Sequence, residues 1–167
     1  MFVFKIVDKQ DVRPAIRILG KAVFMSGFNV QVFNIDDSNE YSYKCSSGLV
    51  KADKNPVFSR QVEMADIVLS YDVNSAKDLK DGGILILNSA DRINTTSLKK
   101  KKIKVFYVDA DGLSIDLKVP ESVIMLGAFV KVFDKVSLKK MKDIIEMELK
   151  KEYVNAIDVG YKSVKRG

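Results

Sequence analysis

Apolar positions along this chain switch between a period of two and a period of three to four, and the switches mark its elements. Phe2 to Val7 (F-V-F-K-I-V) is a β-branched and aromatic run that predicts a buried first strand. Beyond the polar turn Asp8 to Asp11, residues Ala15, Ile18, Leu19, Ala22 and Val23 recur at helical spacing. Asp11 is the expected N-cap, Pro14 falls in the first turn and Gly27 stops the helix. Asn29 to Ile35 (N-V-Q-V-F-N-I) is a second strand by composition. A strand–helix–strand opening predicts a parallel βαβ unit and hence an α/β chain.

The middle of the chain is more broken. Asp36 to Ser47 is polar and predicts an exposed loop entering an antiparallel strand at Gly48 to Ala52. Asn55-Pro56 marks a turn, and Val57 to Met64 is expected to form a short helix. Ile67 to Tyr71 predicts a central strand, followed by a brief helix over Ser75 to Leu79 with Asn74 as its cap. Gly82-Gly83 delivers a strand from Ile84 to Leu87. Ile103 to Val108 is the last clear strand, and Asp109 to Gly112 is a turn leading into Leu113 to Leu117.

The most apolar stretch follows. Pro120 can open a helix in its first turn, and nearly every residue from Val123 to Val130 is apolar or Gly, which predicts a helix buried on most of its surface. Gly127 inside it costs about 1 kcal/mol against Ala. A glycine there lets another backbone or a ligand approach closely, and helix–helix packing is the favoured reading. Ser137 is the cap of an amphipathic helix carrying Leu138, Met141, Ile144, Ile145 and Leu149 on one face. Glu152 to Val164 continues as a further helix, and 165–167 is expected to fray.

Composition narrows the chemistry. With 47% apolar and 30% charged residues in 167, the chain reads as one globular domain spanning 1–167. No apolar run reaches the 18 or so residues of a membrane span. Met1 to Val7 is too short for a signal-peptide core and leads into charge, so a cytoplasmic chain without membrane contact is expected. A single cysteine, Cys45, excludes an internal disulfide and an iron–sulfur cluster held by this chain alone. With no histidine, His-based acid–base catalysis and His metal sites are excluded too. The net charge of +6 comes mainly from Lys, without the Arg-rich basic stripe and exposed aromatics of a nucleic-acid binder.

Several residues invite a chemical role and also have a plainer one. Cys45 reads better as a small buried residue than as a reactive thiol, since only Lys44 is near to lower its pKa. Asp72 stands at a carboxyl-terminal strand end, where ligands gather in open sheets, but Asp is as common there as a cap. Asp109, Asp111 and Asp116 lack the further oxygen ligands of a calcium loop. Tyr41 and Tyr43 could stack on a ligand ring, though covering a sheet edge or a subunit contact is favoured.

A family resemblance rests on an ordered set of short blocks. Met125-Leu126-Gly127-Ala128, with Val132 and then Val136-Ser137-Leu138, resembles a segment of the gamma subunit, or gamma domain, of 2-oxoacid:ferredoxin oxidoreductases. Val108-Asp109-Ala110 is similar to that family's V-D-A-T. Asp81 to Asn88 (D-G-G-I-L-I-L-N) is similar to its E-G-G-I-L-I-V-N, and Ser26-Gly27 with Val30 to Phe33 to its D-G-x-x-V-Q-A-F. The resemblance implies a three-layer α/β/α fold with a mostly parallel, mixed sheet. It also implies a complex with alpha, beta and delta subunits that hold thiamine diphosphate and iron–sulfur clusters, use coenzyme A and pass electrons to ferredoxin. Lys99 to Lys102 is then either a solvated loop that discourages edge pairing, which is the favoured reading, or a patch for an acidic partner such as ferredoxin.

Three departures bear on the coenzyme A side that the family assigns to this subunit. Its G-x-G-G-Q-G loop falls on Ile6 to Asp11, where only Gln10 matches, every Gly has gone, and Asp8 and Asp11 stand where a phosphate would sit. The G-x-E-x-R-G-G type stretch is replaced by Asn39-Glu40-Tyr41-Ser42-Tyr43. The family's Asn before M-L-G-A is Ser122 here. Gln10 and Ser122 are therefore the candidate cofactor-binding residues, with no catalytic or metal residue expected. Two readings follow: a structural subunit with a degenerate coenzyme A loop, or a stand-alone paralogue acting as a binding or scaffold protein. A Rossmann-type nucleotide enzyme is disfavoured because no glycine fingerprint follows the first strand.

Overall fold

A computed structural model describes residues 1–35, 45–59 and 61–167. Among them runs one seven-stranded mixed sheet: β1 (Phe2–Val7), β2 (Asn29–Ile35), β3 (Ser47–Asp53), β4 (Ala65–Ser70), β5 (Leu79–Asn88), β6 (Lys104–Val108) and β7 (Lys165–Arg166). The strand order is β2-β3-β1-β4-β5-β6-β7. β1, β4, β5 and β6 pair in parallel, while β3 is antiparallel to both β1 and β2, and β7 is antiparallel to β6. The expected α/β fold is present, with two refinements. β3 is inserted between β1 and β2, so those two share a direction without pairing. The tail does not fray: Arg166 pairs with Phe106, and the Gly167 amide donates to the Val105 carbonyl at 2.9 Å.

The helices are α1 (Arg13–Met25), α2 (Thr96–Lys99), α3 (Ala110–Leu117), α4 (Glu121–Val132), α5 (Leu138–Glu148) and α6 (Val154–Ser163). Period-two burial sends alternate strand residues to opposite faces. Phe4, Ile6, Ile67, Leu69 and Ile86 point into the core under α1, α4, α5 and α6, where Phe4 meets Phe129 and Phe133 with ring centroids 5.1 and 4.8 Å apart. Val3, Leu49, Val68, Leu85 and Leu87 point the other way, into a smaller core. That face is covered mainly by a 3-10 turn over Val73–Asp78, the single turn of α2 and irregular chain.

Gly127 packs as the sequence suggests. A Cβ there would stand 2.3 Å from the Ile157 carbonyl oxygen, and one on Gly160 would stand 2.0 Å from the Ile124 carbonyl oxygen. Two glycines thus let α4 and α6 cross backbone to backbone.

Two short helices are corrected. Val57 to Met64 has no helical turn among its described residues. The reason lies beneath it: Lys51 is fully buried, and its Nζ donates to the carbonyls of Ser59 (3.2 Å) and Gln61 and to Glu63 Oε1 (3.1 Å). The ammonium group offers those carbonyls a donor outside any helix, which competes with i→i−4 pairing. The turn after β4 is 3-10 rather than α, and its cap is Asp72, whose carboxylate accepts from the Asn74 amide at 2.9 Å. Ser137 caps α5 as expected, accepting from the Lys140 amide at 3.2 Å. Cys45 is buried, as expected.

Candidate functional site

The strand order reverses direction between β1 and β4, so chain leaving β1 goes to one side and chain leaving β4 to the other. The carboxyl ends of strands at such a point diverge and open a crevice. Here it is lined by Val7 at the end of β1 and Asp8 just after it, Ser70 at the end of β4 and Tyr71 just after it, Asn88 at the end of β5, and Ser122 and Met125 of α4. It is narrow, with an apolar floor of Ile6, Ala15 and Leu69.

Of the two residues singled out in the sequence, the structure places only Ser122 in this crevice, half-buried on the first turn of α4. Gln10 lies exposed in the turn between β1 and α1 and does not line it. Asn39 to Tyr43, including Tyr41, lie outside the described residues.

The turn before α1 closes on itself. Its amides meet acceptors of this same chain: Asp8 N–H donates to the Ser46 carbonyl (3.0 Å) and Val12 N–H to the Cys45 carbonyl (2.9 Å). Gln10 N–H donates to Asp8 Oδ1 (3.2 Å), and Arg13 N–H to Asp11 Oδ1 (3.1 Å). Pro14 has no amide hydrogen to offer. A helix N-terminus attracts anions through free N–H groups, and here two carboxylates of the protein take that part.

Charge around the crevice adds to this. Burial raises the Asp8 carboxyl above its ordinary value, partly offset by amide hydrogen bonds from Gln10 and Lys9, and the neighbouring Asp111 raises it further. Glu121 is raised as well, by burial first, then by the charges of Asp111 and Asp8. Asp11 goes the other way, held low chiefly by hydrogen bonds from the Arg13 guanidinium. Lys9 faces the acidic group and also sits over the Tyr71 ring at 4.9 Å from its centroid. The rim therefore repels a polyanion.

Sequence reasoning gave Asn88, Asp111 and Glu121 no part in this site. Asn88 ends β5 and ties down α3: its Oδ1 accepts from the Ala110 (2.9 Å) and Asp111 (3.2 Å) amides, while its Nδ2 donates to Asp111 Oδ1 (2.6 Å). Asp109 completes that helix start by accepting from the Gly112 amide at 2.9 Å. The available signal was an Asn closing an apolar strand; its partner lies more than 20 residues away and no spacing reveals it. Among the described residues, no three Cys, Asp or Glu side chains form a group that could hold a metal ion.

With this geometry in hand, comparison with known proteins identifies the family. The sequence pattern of the pyruvate ferredoxin/flavodoxin oxidoreductase family matches residues 13–167, and the chain belongs to that family. Its fold is that of the family's gamma subunits. A pyruvate oxidoreductase subunit, PORC, from Thermotoga maritima is 24% identical with a TM-score of 0.74, covering 99% of this chain and 98% of that one. The gamma subunit of a keto/oxoacid ferredoxin oxidoreductase from Geobacter sulfurreducens is 17% identical with a TM-score of 0.76, covering 97% of this chain and 95% of that one. A 2-oxoglutarate:ferredoxin oxidoreductase from Magnetococcus marinus, solved with 2-oxoglutarate, coenzyme A and succinyl-CoA, is 12% identical with a TM-score of 0.78. It covers 96% of this chain, which matches only 30% of its own. No curated protein matches the sequence.

Proposed function

We propose that this chain is the gamma-type subunit of a cytoplasmic 2-oxoacid:ferredoxin oxidoreductase, a complex that converts a 2-oxoacid to an acyl-CoA and sends the electrons to ferredoxin. The chain is a structural member, and alpha, beta and delta partners carry thiamine diphosphate and the clusters. Family membership supports the setting. The observation that carries the structural role is the turn before α1, where Asp8 and Asp11 accept the Gln10 and Arg13 amides. A pyrophosphate approaching that turn meets two carboxylates and amides already engaged. By family pattern Gln10 and Ser122 are the candidate residues through which this chain would still contact the coenzyme.

Two measurements test this. Purification from the source organism recovers thiamine- and cluster-binding partners with the chain, whereas recovery of a lone monomer favours the stand-alone paralogue. Calorimetry with coenzyme A shows no micromolar binding to the isolated chain. A clear micromolar isotherm overturns the disabled turn while leaving the subunit assignment intact.

A further inference from the structure

The positive charge of this chain is gathered at one edge of the sheet. Arg92, Lys99 to Lys102, Lys104, Lys165 and Arg166 are all exposed. Tertiary pairing brings their separate stretches together. Arg166 stands opposite Phe106, two residues or about 7 Å along β6 from Lys104, and the Arg92 guanidinium donates to the Arg166 carbonyl at 3.2 Å. The carboxylates beside them are Asp81 and Asp91. Eight cations against two anions give a surplus as large as the net charge of +6 of the whole chain, so the remainder is balanced. Among the described residues, none of the eight cations takes part in an ion pair. The turn that carries four of them is ordered: Lys102 N–H donates to the Lys99 carbonyl (3.0 Å), Ile103 N–H to the Leu98 carbonyl (3.2 Å) and Gly82 N–H to the Lys101 carbonyl (2.7 Å). The first two bonds close a helix end whose left-handed position usually falls to Gly, and here Lys102 fills it at φ 54°. Guarding an open strand edge does not account for so much charge, because β7 and the Gly167 amide already pair β6 from Val105 to Tyr107.

Building on the subunit assignment above, we propose that this edge docks a small acidic protein that binds and leaves, the ferredoxin to which the complex gives its electrons. Charge complementarity selects the partner. Unpaired cations on one edge steer an acidic protein toward it from a distance and fix its orientation on arrival. The composition of the edge selects the manner of binding. None of the large exposed apolar side chains lies on it, whereas the core of a permanent interface is apolar and poor in Lys. The same absence disfavours other anionic partners. A nucleic-acid surface adds aromatics on which bases stack, and a membrane-binding surface adds apolar side chains that enter the lipid. Six of the eight cations are Lys, a hydrated point charge that releases its partner readily as salt rises.

The test uses the assembled complex with its 2-oxoacid and two electron acceptors, ferredoxin from the source organism and the small dye methyl viologen. Lys100→Glu/Lys104→Glu raises the KM for ferredoxin about tenfold at low salt, and Lys100→Gln/Lys104→Gln raises it less. The control Lys135→Glu/Lys139→Glu makes the same change in net charge at exposed positions between α4 and α5 and leaves that KM within about twofold. Reduction of methyl viologen is unchanged in every variant, which shows that each complex is assembled and active. An unchanged KM in Lys100→Glu/Lys104→Glu overturns the docking edge and spares the subunit assignment. An equal rise in the control also overturns it, because net charge and not this edge would then set the affinity. Tight binding of a DNA duplex or of phosphatidylglycerol vesicles that Lys100→Glu/Lys104→Glu abolishes, with the ferredoxin KM unmoved, overturns it in favour of another anionic partner. If the wild-type complex reduces neither acceptor, the subunit assignment fails and the docking edge with it.

Discussion

The two faces of the sheet have been built in different ways. On one, four helices cover the strands, two glycines bring α4 and α6 into backbone contact, and a cluster of phenylalanines fills the space between. On the other, a 3-10 turn, a single turn of α2 and irregular chain lie over a smaller core. The helical face satisfies itself. The thin face spends a buried lysine on holding a loop in place.

This contrast can be broken at graded cost. Phe4→Ala opens a cavity among Phe129 and Phe133 and should cost roughly 3–5 kcal/mol in urea unfolding. A loss below about 1 kcal/mol would mean the helical face is not the main core. Gly160→Ala should cost about 2–3 kcal/mol by overpacking against the Ile124 carbonyl. Helix propensity alone favours Ala by about 1 kcal/mol, so even the sign of the change reports whether the crossing is as close as it stands. Lys51→Met should cost only about 1–2 kcal/mol globally, while hydrogen exchange at 55–64 accelerates. Equal acceleration across β3 and β4 would show that Lys51 supports the sheet and not the chain around Ser59 to Glu63.

The smallest effect lies at the crevice. The Asp8 carboxyl is raised by burial and by Asp111, so the native state holds its proton more tightly than the unfolded chain does. Its charge then destabilises the fold above the raised value, and the penalty disappears as pH falls through that value toward the unfolded one near 4. Asp8→Asn should therefore gain about 0.5 kcal/mol at neutral pH and nothing below about pH 4. A gain that persists in acid would rule out charge as its cause. Asp11, held low by Arg13, contributes with the opposite sign: its stabilisation is present at neutral pH and is lost as pH falls through the native value.

The elements read most directly from the sequence were those with a strong period. β1, α1, β2, α4 and α5 fall where Phe2 to Val7, Ala15 to Val23, Asn29 to Ile35, Val123 to Val130 and Ser137 to Leu149 put them. Each has enough apolar residues in register to be decided locally. Gly127 also disclosed its role, because a glycine in the most buried helix has few other uses. The departures occurred where distant groups override local preference. Val57 to Met64 resembles a helix until Lys51 draws its carbonyls downward. Lys165 and Arg166 resemble a frayed end until β6 offers an open edge.

Alone, then, the sequence determined an α/β chain without histidine, with one cysteine, and with carboxylates in place of glycines in its first strand-to-helix turn. Those facts depend on composition and near-neighbour spacing, which folding does not change. Only the tertiary structure decided that β3 separates β1 from β2, that Ser122 rather than Gln10 reaches the crevice, and that Lys51 holds the Ser59 and Gln61 carbonyls. Each joins groups that are distant in sequence or decides which face a side chain takes, and spacing along the chain carries no record of either.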